Sequence, residues 1–434
     1  MSGVALGSLL VLAACGGGGG DAETTGMTDG STEYGSTTGS VTEVPTEGSA
    51  ATELTSGGEV LPPGCDVLVS PGDAADLQPA LFAATEGTTV CMGEGVFMLA
   101  TELAIPTKAV TLQGAGREAT ILDFSAQELG DGAVKITADG VTVTGFTVRE
   151  APGEGVRAQG VGGVVFAAIA VEWATPMGDT NGAHGLQTVA CEDVEIRDAR
   201  VIGARAAGIH VGQSTQVLVE DSEVDGNVVG VEVENSTGVV VRNNQVHDNA
   251  AGILIANLPG LEVKGGERTL VYGNQVEDNN GVNFAEPGSF VASVPVGVGV
   301  MLVATDANEV RDNTIGGNDT TGLVVVSYSE VLFGPTGEDP GFDAFSQGNY
   351  VHGNTFADNG GAPGPLAAIF GDPGPDMADD GCLDPEVQPA PALVNCFDMN
   401  GAASYLNFDL CGGGMNPSGD LGPVTCQHMP LPDL

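Results

Sequence analysis

The 434-residue sequence predicts an all-β fold, a right-handed parallel β-helix with three-strand coils and a base period of 22–23 residues. Three observations carry this. Similar phrases end at Val148, Val171, Val201, Val224, Val246, Val276, Ile315 and Phe356, spaced 23, 30, 23, 22, 30, 39 and 41 residues apart. Between Gly208, Gly230 and Gly252 two period-two runs recur, such as Ile209-His210-Val211 and Val217-Leu218-Val219. Alternation of this kind means strands with one face buried and one exposed, and the units contain no ten-residue helical pattern. Asparagines recur at fixed places of the phrase, Asn244, Asn274, Asn313 and Asn354 at one, and Asn227, Asn249, Asn279, Asn318 and Asn359 at another. Stacked amides can hydrogen-bond along the axis, and Asn tolerates left-handed turns. Calcium is the alternative occupant of these Asp/Asn-rich turns, but the strict glycine-aspartate nonapeptide of calcium-binding β-rolls is absent. No cofactor is expected.

Residues 1–14 read as a lipoprotein signal peptide. The apolar stretch Val4–Leu12 runs into Leu12-Ala13-Ala14-Cys15, a lipobox whose Cys15 takes the lipid; the stretch is too short to span a membrane as a helix. Residues 15–60, rich in Gly, Ser, Thr and Glu and without a basic residue, read as a disordered acidic tether. Residues 61–125 hold the N-terminal cap and first coils. Here Asp76 is placed to cap a short helix from about Leu77 to Thr85, with Leu77, Leu81 and Phe82 plugging the open end of the tube. Residues 126–362 are the regular coils. From 363 to 434 the period stops, and Pro/Gly-rich sequence with four cysteines reads as a loop-rich, disulfide-containing cap. Cys65 can pair with Cys91. Cys382, Cys396, Cys411 and Cys426 can form two bridges in three connectivities, and Cys191 is left as a buried thiol.

Acidic residues outnumber basic ones 58 to 12, and all twelve basic residues lie between Lys108 and Arg311. The resulting charge of −46 makes nucleic acid an improbable partner and excludes a polybasic membrane patch. It also weakens, without excluding, polyanionic polysaccharides as ligands. A monomer, attached to the membrane through the lipid on Cys15, is expected.

Residues two places after each repeat glycine point outward and stack as Lys135, Arg157, Gln187, His210, Glu232, Leu254, Met301 and Val324. Half of this column is polar and half apolar. The insertion Trp173 to His184 emerges beside the polar half and can bring Trp173, Asp179, Asn181 and His184 to its rim. Catalytic candidates are His210 or His184 as base, Arg157 as cation and Glu232 as the partner tuning the histidine. Substrate-binding candidates are Lys135, Trp173 (stacking on a sugar ring), Asp179, Asn181, Gln187 and Gln213. The plain alternative is a wet surface of paired polar side chains. No metal site is assigned, because the i, i+4 histidines and carboxylate clusters of strong metal motifs are missing. His247 and His352, in turn phrases, are expected to be solvated.

The stretch from Asp66 to Asp123, with Val69-Ser70-Pro71-Gly72, Gly93-Glu94-Gly95-Val96-Phe97 and Val110-Thr111-Leu112-Gln113-Gly114-Ala115-Gly116, resembles the cap and first coils of the pectin-lyase-like superfamily. A narrower resemblance covers about Gly95 to the C-terminus. Its phrases include Asn181-Gly182-Ala183-His184-Gly185-Leu186, Val231-Glu232-Val233-Glu234-Asn235-Ser236, Asn283-Phe284-Ala285 and Val326-Ser327-Tyr328. These are similar to a family of bacterial envelope β-helix lipoproteins, related to carbohydrate-active β-helix proteins and without an established reaction. The resemblance implies an outer-membrane or cell-surface lipoprotein that binds polysaccharide or an envelope protein, a cytochrome-like one by the family's genomic company. It implies, as the alternative, a polysaccharide lyase or uronate C5-epimerase working from the His210 face.

Overall fold

The computed structural model describes residues 61–337 and 339–434; the stretches read as signal peptide and tether, with Cys15, lie outside them. Among the described residues, strands stack into three parallel sheets of 12, 11 and 10 strands that enclose one apolar tube. One coil shows the plan. Ala207–Gly212 lies in the 11-stranded sheet, Thr215–Glu220 in the 12-stranded and Glu223–Asp225 in the 10-stranded. Each pairs in parallel register with its counterpart one coil on, so Ile209 meets Val231 and Val224 meets Val246.

The repeat glycine is required by close approach. A Cβ on Gly208, Gly230 or Gly252 would come 2.4–2.6 Å from a valine γ-carbon inside its own coil. Val231, Val233, Ile253 and Ile255 fill the tube, each at most 2% exposed. The asparagines form ladders as expected. Asn244, Asn274, Asn313, Asn354 and Asn400 hand amide to carbonyl oxygen at 2.9–3.2 Å per step. Asn227 through Asn359 does the same at 2.9–3.2 Å. A third ladder, Asn308–Asn349–Asn395, was not visible in the repeat phrase.

Four features differ from the sequence reading. The helix spans Leu77–Ala83, and Asp76 stands at its N-cap without a side-chain hydrogen bond, because a 3₁₀ turn from Pro71 to Asp76 leads into it. Leu77 and Leu81 plug the tube, but Phe82 is 62% exposed, since only one face of so short a helix meets the core. The stack also runs beyond residue 362. Met377–Asp379, Cys396–Asp398 and Tyr405–Asn407 continue two of the sheets, the period being hidden by long Pro-rich insertions. Finally, His352 is not solvated. It bonds Glu309 at 2.8 Å and stacks on Tyr350 with ring centroids 3.9 Å apart.

Among the described residues the disulfides are Cys65–Cys91, Cys382–Cys411 and Cys396–Cys426, and Cys191 is a buried thiol outside them. The apolar half of the outward column is not exposed. Leu254, Met301 and Val324 lie under insertions whose Phe290, Tyr328, Phe333 and Phe342 form a second apolar cluster outside the tube. Phe290 and Leu258 of these insertions also reach over the polar half of the column.

Candidate functional site

The predicted column exists residue by residue. Parallel register places Lys135 beside Arg157, Arg157 beside Gln187, Gln187 beside His210, His210 beside Glu232 and Glu232 beside Leu254. His184 stands one coil before His210, ahead of its repeat glycine, and the two imidazoles meet with centroids 4.6 Å apart. Three carboxylates surround them. Glu154 lies 3.7 Å from His184 Nδ1, Glu234 lies 3.8 Å from His210 Nε2, and Glu232 is the next residue of the column. One ligand atom from each of His184, His210 and Glu232 lies within 4.8 Å of the others. Gly212 makes room for the His210 ring, because a Cβ there would stand 2.6 Å from its Cε1.

The cluster floors a cleft of about 400 Å³. Its other walls come from non-periodic insertions: Leu258 on one side, Phe290 and Val291 on another. Arg205, on the floor, bonds Glu286 of the second insertion at 2.6 Å. Asn283 shapes that cover by donating to the carbonyls of Val291 and Val294.

Burial and charge set the protonation states. Burial first, and then the neighbouring His210, pull His184 down to about 4, so its imidazole is neutral at neutral pH. Burial would also lower His210, but Glu234 and Glu232 outweigh it and hold that ring above the ordinary histidine value. Burial pushes Glu232 up to about 7 against the pull of His210. Burial would likewise raise Glu234, but His210 and His184 keep it low. Glu154 is held low chiefly by His184. Three polar atoms in this neighbourhood are buried without a partner: Arg157 Nε, Gln187 Oε1 and His210 Nδ1.

The remaining site expectations divide. Gln187 donates to His184 Nδ1 at 3.0 Å and lines the cleft. Gln213 also lines it, and its Oε1 accepts the backbone N–H groups of Glu262 and Val263, anchoring the first insertion. Trp173 is no stacking platform. It is 5% exposed, donates from Nε1 to Ala151 O and packs against Gly182 within the tube. Asn181 is structural too, bridging the carbonyls of Thr175 and Gly203. Asp179 is exposed on the insertion and bonds nothing in the cleft. A short apolar-rich insertion gains more by burying its one indole than by leaving it wet.

Sequence reasoning missed Glu154, Glu234 and the cleft's covers. Glu154 had a signal, since it precedes Gly155 as His184 precedes Gly185. Glu234 sits in register with Gly212, which leaves it room beside His210. A second group of possible ligands, Glu223, Asp225 and His247, is only partly buried, and Arg200 already sits 3.5 Å from Glu223.

Comparison with known proteins adds a family. The model of the periplasmic copper-binding protein (NosD) family matches residues 134–362, just over half of the chain. No curated protein matches. Among solved structures, the Azotobacter vinelandii mannuronan C-5 epimerase AlgE6 A-module superposes with a TM-score of 0.53 at 16% identity, covering 78% of this chain and 91% of that one. The AlgE4 A-module of the same organism gives 0.51 at 16% identity, covering 71% and 90%. At such identity these likenesses establish the parallel β-helix alone. The family's periplasmic description agrees with a location in the cell envelope.

Proposed function

The chain belongs to the NosD family of periplasmic copper-binding proteins, and on that premise we propose that its cleft binds a copper ion through His184, His210 and Glu232. The observation that carries this is the convergence of two imidazoles and a carboxylate within 4.8 Å of one another on the floor of a cleft. The donor set fits the metal, because imidazole suits copper and a carboxylate supplies charge. His184 is already neutral, and the lone pair that now accepts from Gln187 could pass to a cation. His210 Nδ1 is buried with no partner, which a ligand would relieve. Glu154 and Glu234, 3.7 and 3.8 Å from the rings, add negative charge that favours a cation. Bound here, the ion would lie on the floor of the cleft against the buried His210 and Glu232. Calorimetric titration tests the proposal. The parent should bind one equivalent of copper(II). His184→Ala and His210→Ala should each weaken binding by more than the roughly 10- to 100-fold that outer-shell partners cost. Unchanged affinity in both variants would refute it.

A second reading, glycan binding, is favoured by the size of the cleft and its mixed lining. About 400 Å³ exceeds what one ion needs, and Phe290 and Leu258 offer an apolar wall opposite a polar floor. In its enzymatic form, a lyase or uronate C5-epimerase, the neutral His184 would take the proton and Arg157, one coil away, would face the carboxylate. A glycan array with an assay for unsaturated uronate absorbance tests both forms. We further propose anchoring to the envelope through a lipid on Cys15, with a cytochrome-like envelope protein as candidate partner.

A further inference from the structure

Lys135 and Arg157 stand directly opposite each other on neighbouring strands of the 11-stranded sheet. Like charges so placed repel. Eight of the twelve basic side chains have a carboxylate within 4.0 Å. Among the described residues, no carboxylate comes that close to the other four, Lys108, Lys135, Arg157 and Arg268. Lys108 and Arg268 are exposed to water, whereas Lys135 and Arg157 are only partly exposed. In a chain with 58 acidic residues, two adjacent half-buried cations without a carboxylate are held apart from the acids that could neutralise them. Glu154 acts on Arg157 only at a distance and lies within reach of His184 instead. Arg157 Nε is buried without a partner, and so is Oε1 of Gln187, the next residue of the column and only 6% exposed.

We infer that Lys135, Arg157 and Gln187 form an oxyanion-binding subsite adjoining the histidine cleft. Arg157 supplies a fork that matches two oxygens of a carboxylate or phosphate, and Lys135 adds a point charge. Gln187 joins the subsite to the cleft, because its amide donates to His184. Arg157 and His210 are two coils apart, about 10 Å at the spacing of parallel strands. The ligand therefore carries its anionic group about that far from the group it presents to His210. The inference deepens the glycan reading by giving the sugar a negative charge, and it stands without the copper reading.

Calorimetry on the full chain at physiological salt separates these ideas. The ligands are an oligogalacturonate, the same oligomer methyl-esterified, and inorganic phosphate. Arg157→Gln and Lys135→Gln should each weaken the free acid by about ten- to a hundredfold, the loss expected of a charge-assisted bond. Arg268→Gln, remote from the cleft, should match the parent. The ester should bind the parent no better than the free acid binds Arg157→Gln. Phosphate that binds and depends on Arg157, with no oligomer bound, supports the subsite and defeats the glycan reading. Equal binding of ester and acid defeats the subsite and spares the glycan reading. Absence of binding by either anion, or indifference to both variants, overturns the inference. Independently, Lys135→Gln should raise the melting temperature of the unliganded protein, because it removes a like-charge contact.

Discussion

At the scale of single residues, the cleft is a contest between burial and charge. Glu232 is drawn up to about 7 by burial, and His210 is held above its ordinary value by two carboxylates, so both carry protons near neutrality. A cation must displace those protons to bind. Copper affinity should therefore fall as pH drops through 7, by at least about tenfold between pH 7 and pH 6. Glu232→Gln, which has no proton to lose, should bind more weakly at pH 8 and show a shallower slope. Competition titrations at pH 6, 7 and 8 check this, and a pH-independent parent affinity would contradict it. His184 needs no such displacement, because burial and His210 have already lowered it to about 4.

At the scale of elements, one strand carries opposite obligations on its two faces. Val233 points into the tube at 1% exposure, whereas Glu232 points into the cleft. Val233→Asp should abolish soluble expression, because it buries an unpaired charge at a cost of several kcal/mol. Glu232→Ala should express normally, since its burial comes from the cleft and not from the core; equal tolerance of both would break the register. The ladders make a second demand. Asn274 accepts from Asn244, and its amide donates to Val241 O and Asn313 Oδ1. Asn274→Ala takes partners from buried groups on both neighbouring coils and should cost about 2–4 kcal/mol in urea denaturation, at about 1–3 kcal/mol per unsatisfied group. A loss below about 0.5 kcal/mol would mean that water replaces the ladder.

At the scale of the whole molecule, what the sequence revealed was what repeats. The tube, the glycine positions, two ladders and the column from Lys135 to Val324 follow from a period, because each coil repeats the environment of the last. What it hid was what does not repeat. Trp173 reads as a rim residue in the sequence because its insertion is aperiodic, and only tertiary packing shows that the indole turns inward. The cleft walls at Leu258 and Phe290, and the coil beyond residue 362, escaped for the same reason. The two histidines were legible as residues but not as a pair, since 26 positions separate neighbours whose rings lie 4.6 Å apart. Anchoring belongs to this scale as well. Cys15→Ser should move the protein from the detergent phase to the aqueous phase in a partitioning experiment, and unchanged partitioning would contradict a lipid on that residue.

The central claim is that His184 and His210 share one ion. Electron paramagnetic resonance of the copper(II)-loaded protein reads this directly, through the hyperfine coupling of each imidazole nitrogen. Two equatorial nitrogens in the parent, reduced to one in His184→Ala and in His210→Ala, is the expected result. A parent spectrum with no imidazole coupling, or one identical in the parent and both variants, would place the copper elsewhere and contradict the account.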